Sequence, residues 1–193
     1  MTILLATAND HKIEEIKEIF ATSGFQLKTP PELGIYQTVD EDGTTYAANA
    51  LKKARAYFSG SGPVIADDSG IEIAALDGRP GVFSARWLGD NRDSQSKNAE
   101  VLRLLDGKKN RRARYVCVVA LIEADGKESL FSGYITGEIA VTARGCRGFG
   151  YDPIFVLPDG RTMAELSRQE KNLISHRAQA FGQAIAYIKE KYA

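Results

Sequence analysis

The chain has 193 residues, enough for one substantial core or for one domain with a smaller lobe. Its 25 Lys and Arg balance 25 Asp and Glu, so it lacks the basic surplus of a general polyanion binder and leaves room only for a small anion held by a local lysine cluster. No apolar run approaches the roughly 18 residues of a membrane span, MTILLATAND lacks the basic start and long apolar stretch of a signal peptide, and Cys117 and Cys146 are too few for a disulfide framework. The expectation is a cytoplasmic protein with reduced thiols, with neither a membrane nor a nucleic-acid polymer as partner.

Ile3 to Ala6 is a continuous apolar run, as in a strand covered on both faces. Asp10 to Phe20 then places Ile13, Ile16, Ile19 and Phe20 at helical spacing, with Thr7 to Asp10 as the intervening loop. Thr45 to Phe58 is rich in Ala and predicts a second helix. Pro63 to Asp67 predicts a strand, and Ile71 to Leu76 a separate one. Ser94 to Leu105 predicts a helix. Arg114 to Glu123 and Glu128 to Thr142 predict long strands joined by Ala124-Asp125-Gly126-Lys127, a hairpin signal. Arg144 to Asp152, rich in Gly and Arg, predicts a loop. Thr162-x-x-Glu165 and Ser167-x-x-Glu170 both fit a capping box. Phe181, Ile185, Ile188 and Tyr192 form an apolar stripe along a last helix. Early alternation of strands and helices, then a hairpin, implies an α/β fold with a mixed sheet and helices on both sides.

Five stretches carry candidate chemistry. Thr7, Asn9 and Lys12 stand between the first strand and first helix, where α/β proteins bind ligands and a helix N-terminus offers N–H groups to an anion. The alternative is that Asn9 or Asp10 only caps the helix. Asp67 and Asp68 are adjacent at the end of an apolar segment. Successive strand side chains point to opposite faces, so one is expected to face a pocket and the other to accept backbone bonds in a turn formed by Ser69 and Gly70. The alternative makes both turn formers. Asp40, Glu41 and Asp42 precede a helix, where a solvated capping cluster is the default. A magnesium ion draws its carboxylates from separate places in the sequence, which makes this cluster a second supplier beside Asp68. In Gly148-Phe149-Gly150-Tyr151-Asp152 two rings alternate with glycines, either to stack on a nucleobase or to plug the core. In Lys171 to Arg177, Ser175 is placed to start a new helix. His176 and Arg177 would then lie in its first turn, where the dipole disfavours cations unless a polar or anionic partner answers them; the alternative is a surface-exposed basic turn.

Taken together these stretches resemble the inosine/xanthosine triphosphate pyrophosphatase family, enzymes that clear aberrant purine nucleotides. The matching segments are ATANDHKIEEIKEIF, EDGTTYAANALKKA, ADDSGIEIAALDGRPGVFSARW, GFGYDPIF and TMAELSRQEKNLISHRAQA, in order from residue 6 to about residue 180. The resemblance implies one nucleoside-triphosphate pyrophosphatase domain over residues 1–193, an elongated α/β fold of two lobes with a cleft between them, and a homodimer. It implies that the loop Thr7, Ala8, Asn9, Asp10, His11 and Lys12 contacts the substrate, with Lys12 near the phosphates. Glu41 and Asp68 serve a Mg²⁺ ion, with Asp40 the alternative to Glu41. Asp68 is also the proton acceptor for the attacking water, and Ser69 touches the substrate. Lys53 and Lys171 neutralise the triphosphate. Phe149, Gly150, Tyr151 and Asp152 form the base site, which His176 and Arg177 complete. One departure stands out: Ala48 replaces the acid that many members carry there.

The implied reaction converts ITP, dITP or XTP to the monophosphate and pyrophosphate. Arginine has donors only, so Arg177 suits a 6-oxo purine and not a 6-amino one. The residue that excludes guanine is not evident from the sequence. Two other readings compete. An aspartyl-nucleophile phosphatase wants Asp-x-Asp after its first strand, whereas Asp67 and Asp68 are adjacent and follow a later one. A non-catalytic nucleotide binder needs the lysines and aromatics but not the acids. A nearer neighbour, the septum-inhibitor-like nucleotide pyrophosphatases, shares the implied fold but prefers other bases. The Ser-His-Arg and Phe-Gly-Tyr-Asp stretches point away from it.

Overall fold

A computed structural model describes residues 1–89 and 93–192. Its elements run β1 (Thr2–Leu5), α1 (Asp10–Phe20), β2 (Gln26–Lys28), α2 (Tyr46–Tyr57), β3 (Val64–Ile73), α3 (Ser94–Leu104), β4 (Arg112–Ile122), β5 (Glu128–Ile139), β6 (Phe155–Val156), α4 (Arg168–Ile174) and α5 (His176–Tyr192). The six strands form one sheet in the order β2-β1-β3-β4-β5-β6. β1 pairs in parallel with β2 and with β3, while β5 and β6 are antiparallel. The fold is α/β with a mixed sheet, as the alternation of strands and helices implied.

The chain divides into two units. The first comprises Met1–Asp68, Cys117–Gly133 and the stretch from His176 onward; the second comprises Ser69–Val116 and Tyr134–Ser175. The first unit has two apolar layers, because side chains alternate along its strands. Ile3, Leu5, Ile65, Cys117 and Val119 pack with Ile16 and Phe20 of α1 and Phe181 and Ile188 of α5. Ala6, Val64, Ala66, Ala120 and Ile122 pack with Ala50 and Ala54 of α2. The second unit centres on Ile71, Ile73, Val101, Tyr115, Ile154 and Phe155. Each fully buried Ile or Phe contributes on the order of 1.5–3 kcal/mol.

Three sequence expectations need correction. The strand from Pro63 and the strand at Ile71 are one ten-residue strand, β3, with Asp67, Asp68, Ser69 and Gly70 inside it. Hence no turn forms at Ser69-Gly70, and neither aspartate is a turn former. Instead Ala74–Leu76 winds into a short 3₁₀ turn. β5 stops at Ile139 rather than Thr142. The C-terminal stripe is also wider than expected. Ala180 and Ala184 complete its buried face, whereas Tyr192 is nearly half exposed and donates its hydroxyl to Glu123 at 2.9 Å. Both capping boxes form as expected, at Thr162 with Glu165 and at Ser167 with Glu170.

Candidate active site

The alternation of β3 separates its two aspartates. Asp67 shares the parity of Ile65 and faces the α1 and α5 side; Asp68 shares that of Val64 and Ala66 and faces α2. Both are buried, Asp67 at 0% and Asp68 at 4% exposure. Two carboxylates in a core are costly unless charge and hydrogen bonds answer them.

On its side, Asp67 Oδ2 accepts from Lys12 Nζ at 2.9 Å and lies 3.8 Å from Arg177 Nε. Lys12 reaches it because Asn9 caps α1, accepting from the Lys12 N–H at 3.1 Å, while Thr7 Oγ1 accepts from the Asn9 N–H at 3.3 Å. The capping reading of this loop is therefore correct for Asn9, and the cap itself orients Lys12. Ala8, Asp10 and His11 are exposed in the same turn. Arg177, in the first turn of α5, is bonded through Nη1 to Glu15 of α1. That answers the unfavourable position of a cation at a helix N-terminus. Burial raises the Asp67 carboxyl, but Lys12, then Arg177 and Lys53, more than offset it and hold it well below the usual carboxylate range. Burial is the largest influence on Lys12 and lowers it, but the charge and hydrogen bond of Asp67, with Asp68 adding to them, raise it overall against burial and Arg177. Cys117 Sγ lies 3.9 Å from Asp67, and burial first, then that carboxylate, pushes its thiol up. Such a thiol is a poor nucleophile.

On the other side, Asp68 Oδ2 accepts from Asn49 Nδ2 of α2 at 2.9 Å. Lys53, one helical turn further along, donates to Glu41 Oε1 at 2.9 Å. Burial raises the Asp68 carboxyl above its ordinary value; Lys53, Lys12 and the Asn49 bond oppose this, and Glu41 adds to it. Asp40 is exposed and lines a separate hollow of about 640 Å³ with Lys52 and Arg55.

The second unit holds a different set. Asp152 Oδ2 accepts from Lys171 Nζ at 2.7 Å and from the Phe149 N–H at 2.9 Å, while Tyr115 donates its hydroxyl to Oδ1 at 3.2 Å. Lys171 Nζ also stands 4.8 Å from the centre of the Phe149 ring. The two rings of the Gly-rich loop differ in burial. Tyr151 is a core plug, its hydroxyl donating to the Ser84 carbonyl at 3.0 Å. Phe149 is only half-buried. Gly150 is held through its carbonyl by Asn98 Nδ2 at 3.1 Å.

The structure thus gathers Thr7, Asn9, Lys12, Glu41, Lys53, Asp68, His176 and Arg177 in the first unit. Ser69, Phe149, Gly150, Tyr151, Asp152 and Lys171 belong to the second. Each expected cation has its own carboxylate: Lys12 with Asp67, Lys53 with Glu41, Lys171 with Asp152, Arg177 with Glu15. Sequence reasoning missed Glu15, Asn49 and Tyr115. A signal existed for two of them. Glu15 lies three residues after Lys12 on α1, and Asn49 shares the buried face of α2 with Tyr46, Ala50 and Lys53.

Among the described residues no group of three or more His, Cys, Asp or Glu is placed to hold a metal ion. The donors that do feel one another, Asp68 and Glu41, are hard oxygens. That set fits magnesium, which takes one or two carboxylates and completes its shell with water and phosphate. No helix among the described residues is long and apolar enough to cross a membrane.

Comparison with known proteins decides the family. The sequence profile described as the Ham1 family matches residues 3–187. The chain belongs to the Ham1 family. A dITP/XTP pyrophosphatase of Desulforamulus reducens is 41% identical over 196 residues, covering 100% of this chain and 98% of that protein. The dITP/XTP pyrophosphatase of Bacillus subtilis is 44% identical over 181 residues, covering 92% of this chain and 91% of that protein. The solved structure of the Staphylococcus aureus Ham1 protein superposes with a TM-score of 0.89 at 38% identity, covering 99% of this chain and all of that one. The resemblance drawn from the sequence motifs is borne out.

Proposed function

We propose that this Ham1-family chain hydrolyses aberrant purine nucleoside triphosphates, ITP, dITP and XTP, to the monophosphate and pyrophosphate. The carrying observation is the split of the β3 aspartates. Asp67 is consumed as the buried counter-ion of Lys12 and Arg177. Asp68, its carboxyl raised by burial, remains beside α2 for chemistry. The relatives' names point to the same reaction.

In this reading Lys12 and Lys53 receive the phosphates, and Lys171 offsets further negative charge. A nucleoside triphosphate carries about four negative charges near neutral pH, which repel an attacking oxyanion. Asp68 orients water and takes its proton as the water attacks the α-phosphate. A Mg²⁺ ion held by Glu41 and Asp68 would supply charge neutralisation and polarisation of phosphorus. The exposed Asp40, lining a hollow with Lys52 and Arg55, is the weaker ligand candidate. Phe149 offers a face for the base, with Asp152 and Tyr151 holding its loop. Arg177 favours a 6-oxo group, with His176 beside it. Ala8, Asp10, His11 and Ser69 line the substrate path. The 193 residues act as one catalytic domain, in the cytoplasm and as a homodimer, with no nucleic-acid polymer or membrane as partner.

A screen of nucleoside triphosphates with separate detection of pyrophosphate and orthophosphate tests this. Pyrophosphate from ITP, dITP and XTP in preference to ATP supports it. Orthophosphate favours an aspartyl phosphatase, and stable ITP binding without turnover favours a plain nucleotide binder.

A further inference from the structure

One fully buried side chain joins the Glu41 loop to Asp68. Asn49, at 0% exposure on α2, donates from Nδ2 to Asp68 Oδ2 at 2.9 Å and accepts at Oδ1 from the Gly43 N–H at 2.8 Å. Gly43 is two residues from Glu41. A Cβ on Gly43 would fall 2.5 Å from Asn49 Oδ1 and 3.0 Å from Ala48 Cβ. Glycine is needed here for close approach and not for an unusual backbone angle. The amide's orientation follows from chemistry. The Gly43 N–H can only donate, so it takes Oδ1, and Nδ2 is left for the carboxylate. Asparagine alone among small side chains supplies both groups at this length. Alanine supplies neither, and aspartate lacks the donor.

We infer that Asn49 is a positioning residue: it fixes the Glu41-bearing loop and one oxygen of Asp68 in a single frame, so that both carboxylates are held for one divalent cation. This rests on the pyrophosphatase reading only for the use made of the cation. Partners that orient ligating carboxylates typically cost about 10–100-fold in metal affinity or activity when removed. Gly43→Ala attacks the same link from the loop side while keeping every polar group.

The test compares the parent, Asn49→Ala, Gly43→Ala and the double variant. Hydrogen exchange of residues 38–45 is followed in metal-free protein, and Mn²⁺ binding is measured by electron paramagnetic resonance. Expected are faster exchange of the loop and Mn²⁺ affinity lower by about 10–100-fold in Asn49→Ala, with a smaller loss of the same kind in Gly43→Ala. The double variant should lose no more than Asn49→Ala, because both changes break one link. Unchanged Mn²⁺ affinity in a folded Asn49→Ala, or additive losses in the double variant, overturns the inference. If Asn49→Ala does not fold, Gly43→Ala decides alone: lowered Mn²⁺ affinity supports the link and unchanged affinity refutes it. Pyrophosphate release by the parent is scored separately. Its absence beside a lost Mn²⁺ site would strike the function and spare the inference.

Discussion

Lys12 Nζ stands 2.9 Å from Oδ2 of Asp67, a carboxylate without solvent exposure on the sheet face that α1 and α5 cover. Arg177 completes this buried charge cluster from α5. Asp67→Asn would deprive half-buried Lys12 and buried Arg177 of a shared anion, and breaking a buried pair costs about 3–5 kcal/mol. Asp67 is held below its unfolded value, so its contribution is present above about pH 4 and declines as pH falls toward the folded value. Denaturant unfolding of both proteins from neutral to acidic pH checks this. The gap should be widest at neutral pH and narrow in acid; a gap that does not change with pH refutes the assigned charge state.

Asp68 has the opposite sign. Burial raises it above its ordinary value. The preference of the folded state for the protonated form is fully present below the unfolded value and is lost as pH rises through the folded one. At neutral pH the ionised group therefore costs stability. Asp68→Asn should unfold at a higher temperature than the parent when no divalent ion is present, yet lose about 100- to 10,000-fold in turnover, the usual worth of a general base. A stability gain with full turnover would remove Asp68 from the chemistry.

Arg177 is tied to Glu15, so an alanine there would strand a carboxylate and blur the reading of base choice. Arg177→Lys keeps a charge for Glu15 and Asp67 but loses the planar fork. The preference for ITP over ATP, as a ratio of kcat/KM, should fall about tenfold or more, the worth of one charged hydrogen bond of about 1.5–3 kcal/mol. An unchanged ratio in a folded variant assigns base choice elsewhere.

Much of this was legible before any coordinates. Helical periodicity located α1 and α5 because each buries one face, Ala content marked α2, and Asn9 and Ser167 announce their helices by the chemistry of the cap. Asp67 and Asp68 were marked as unusual by their place beside Pro63-Val64-Ile65. What they do there was not legible, because Ser69-Gly70 carries turn chemistry and only the pairing of β3 within the sheet keeps it extended. The partners Glu15 for Arg177 and Tyr115 for Asp152 are separated by 162 and 37 residues, contacts that no local spacing encodes. The short strands β2 and β6, of three and two residues, carry too little pattern to be read.

Tyr115 donates to Asp152 from within the second unit's core. Tyr115→Phe removes that donor and keeps the ring's packing on Phe155, whose centre lies 4.6 Å away. Asp152 would retain Lys171 and the Phe149 N–H. The expected loss is about 1.5–3 kcal/mol of stability, as for a hydrogen bond to a charged group. If this loop serves the base, KM for ITP rises more than kcat falls. Loss of kcat alone, at unchanged KM, would detach the loop from substrate binding.

Gly133 of β5 brings the strand close under the start of α5. A Cβ there would lie 2.2 Å from the His176 carbonyl oxygen and 2.7 Å from the Ala180 nitrogen, both backbone atoms that cannot swing aside. Gly133→Ala must therefore move the first turn of α5, which carries His176 and Arg177. Overpacking of this kind costs about 1–3 kcal/mol. Because Arg177 is bonded to Glu15 of α1, the shift also loads that ion pair. Activity toward ITP should fall along with stability, whereas Gly182→Ala, on the same helix with open space at its Cβ, should leave both intact. Unfolding curves and kcat/KM for the two variants make the comparison. Equal behaviour of the pair would show that the approach of β5 to α5 does not set the position of Arg177.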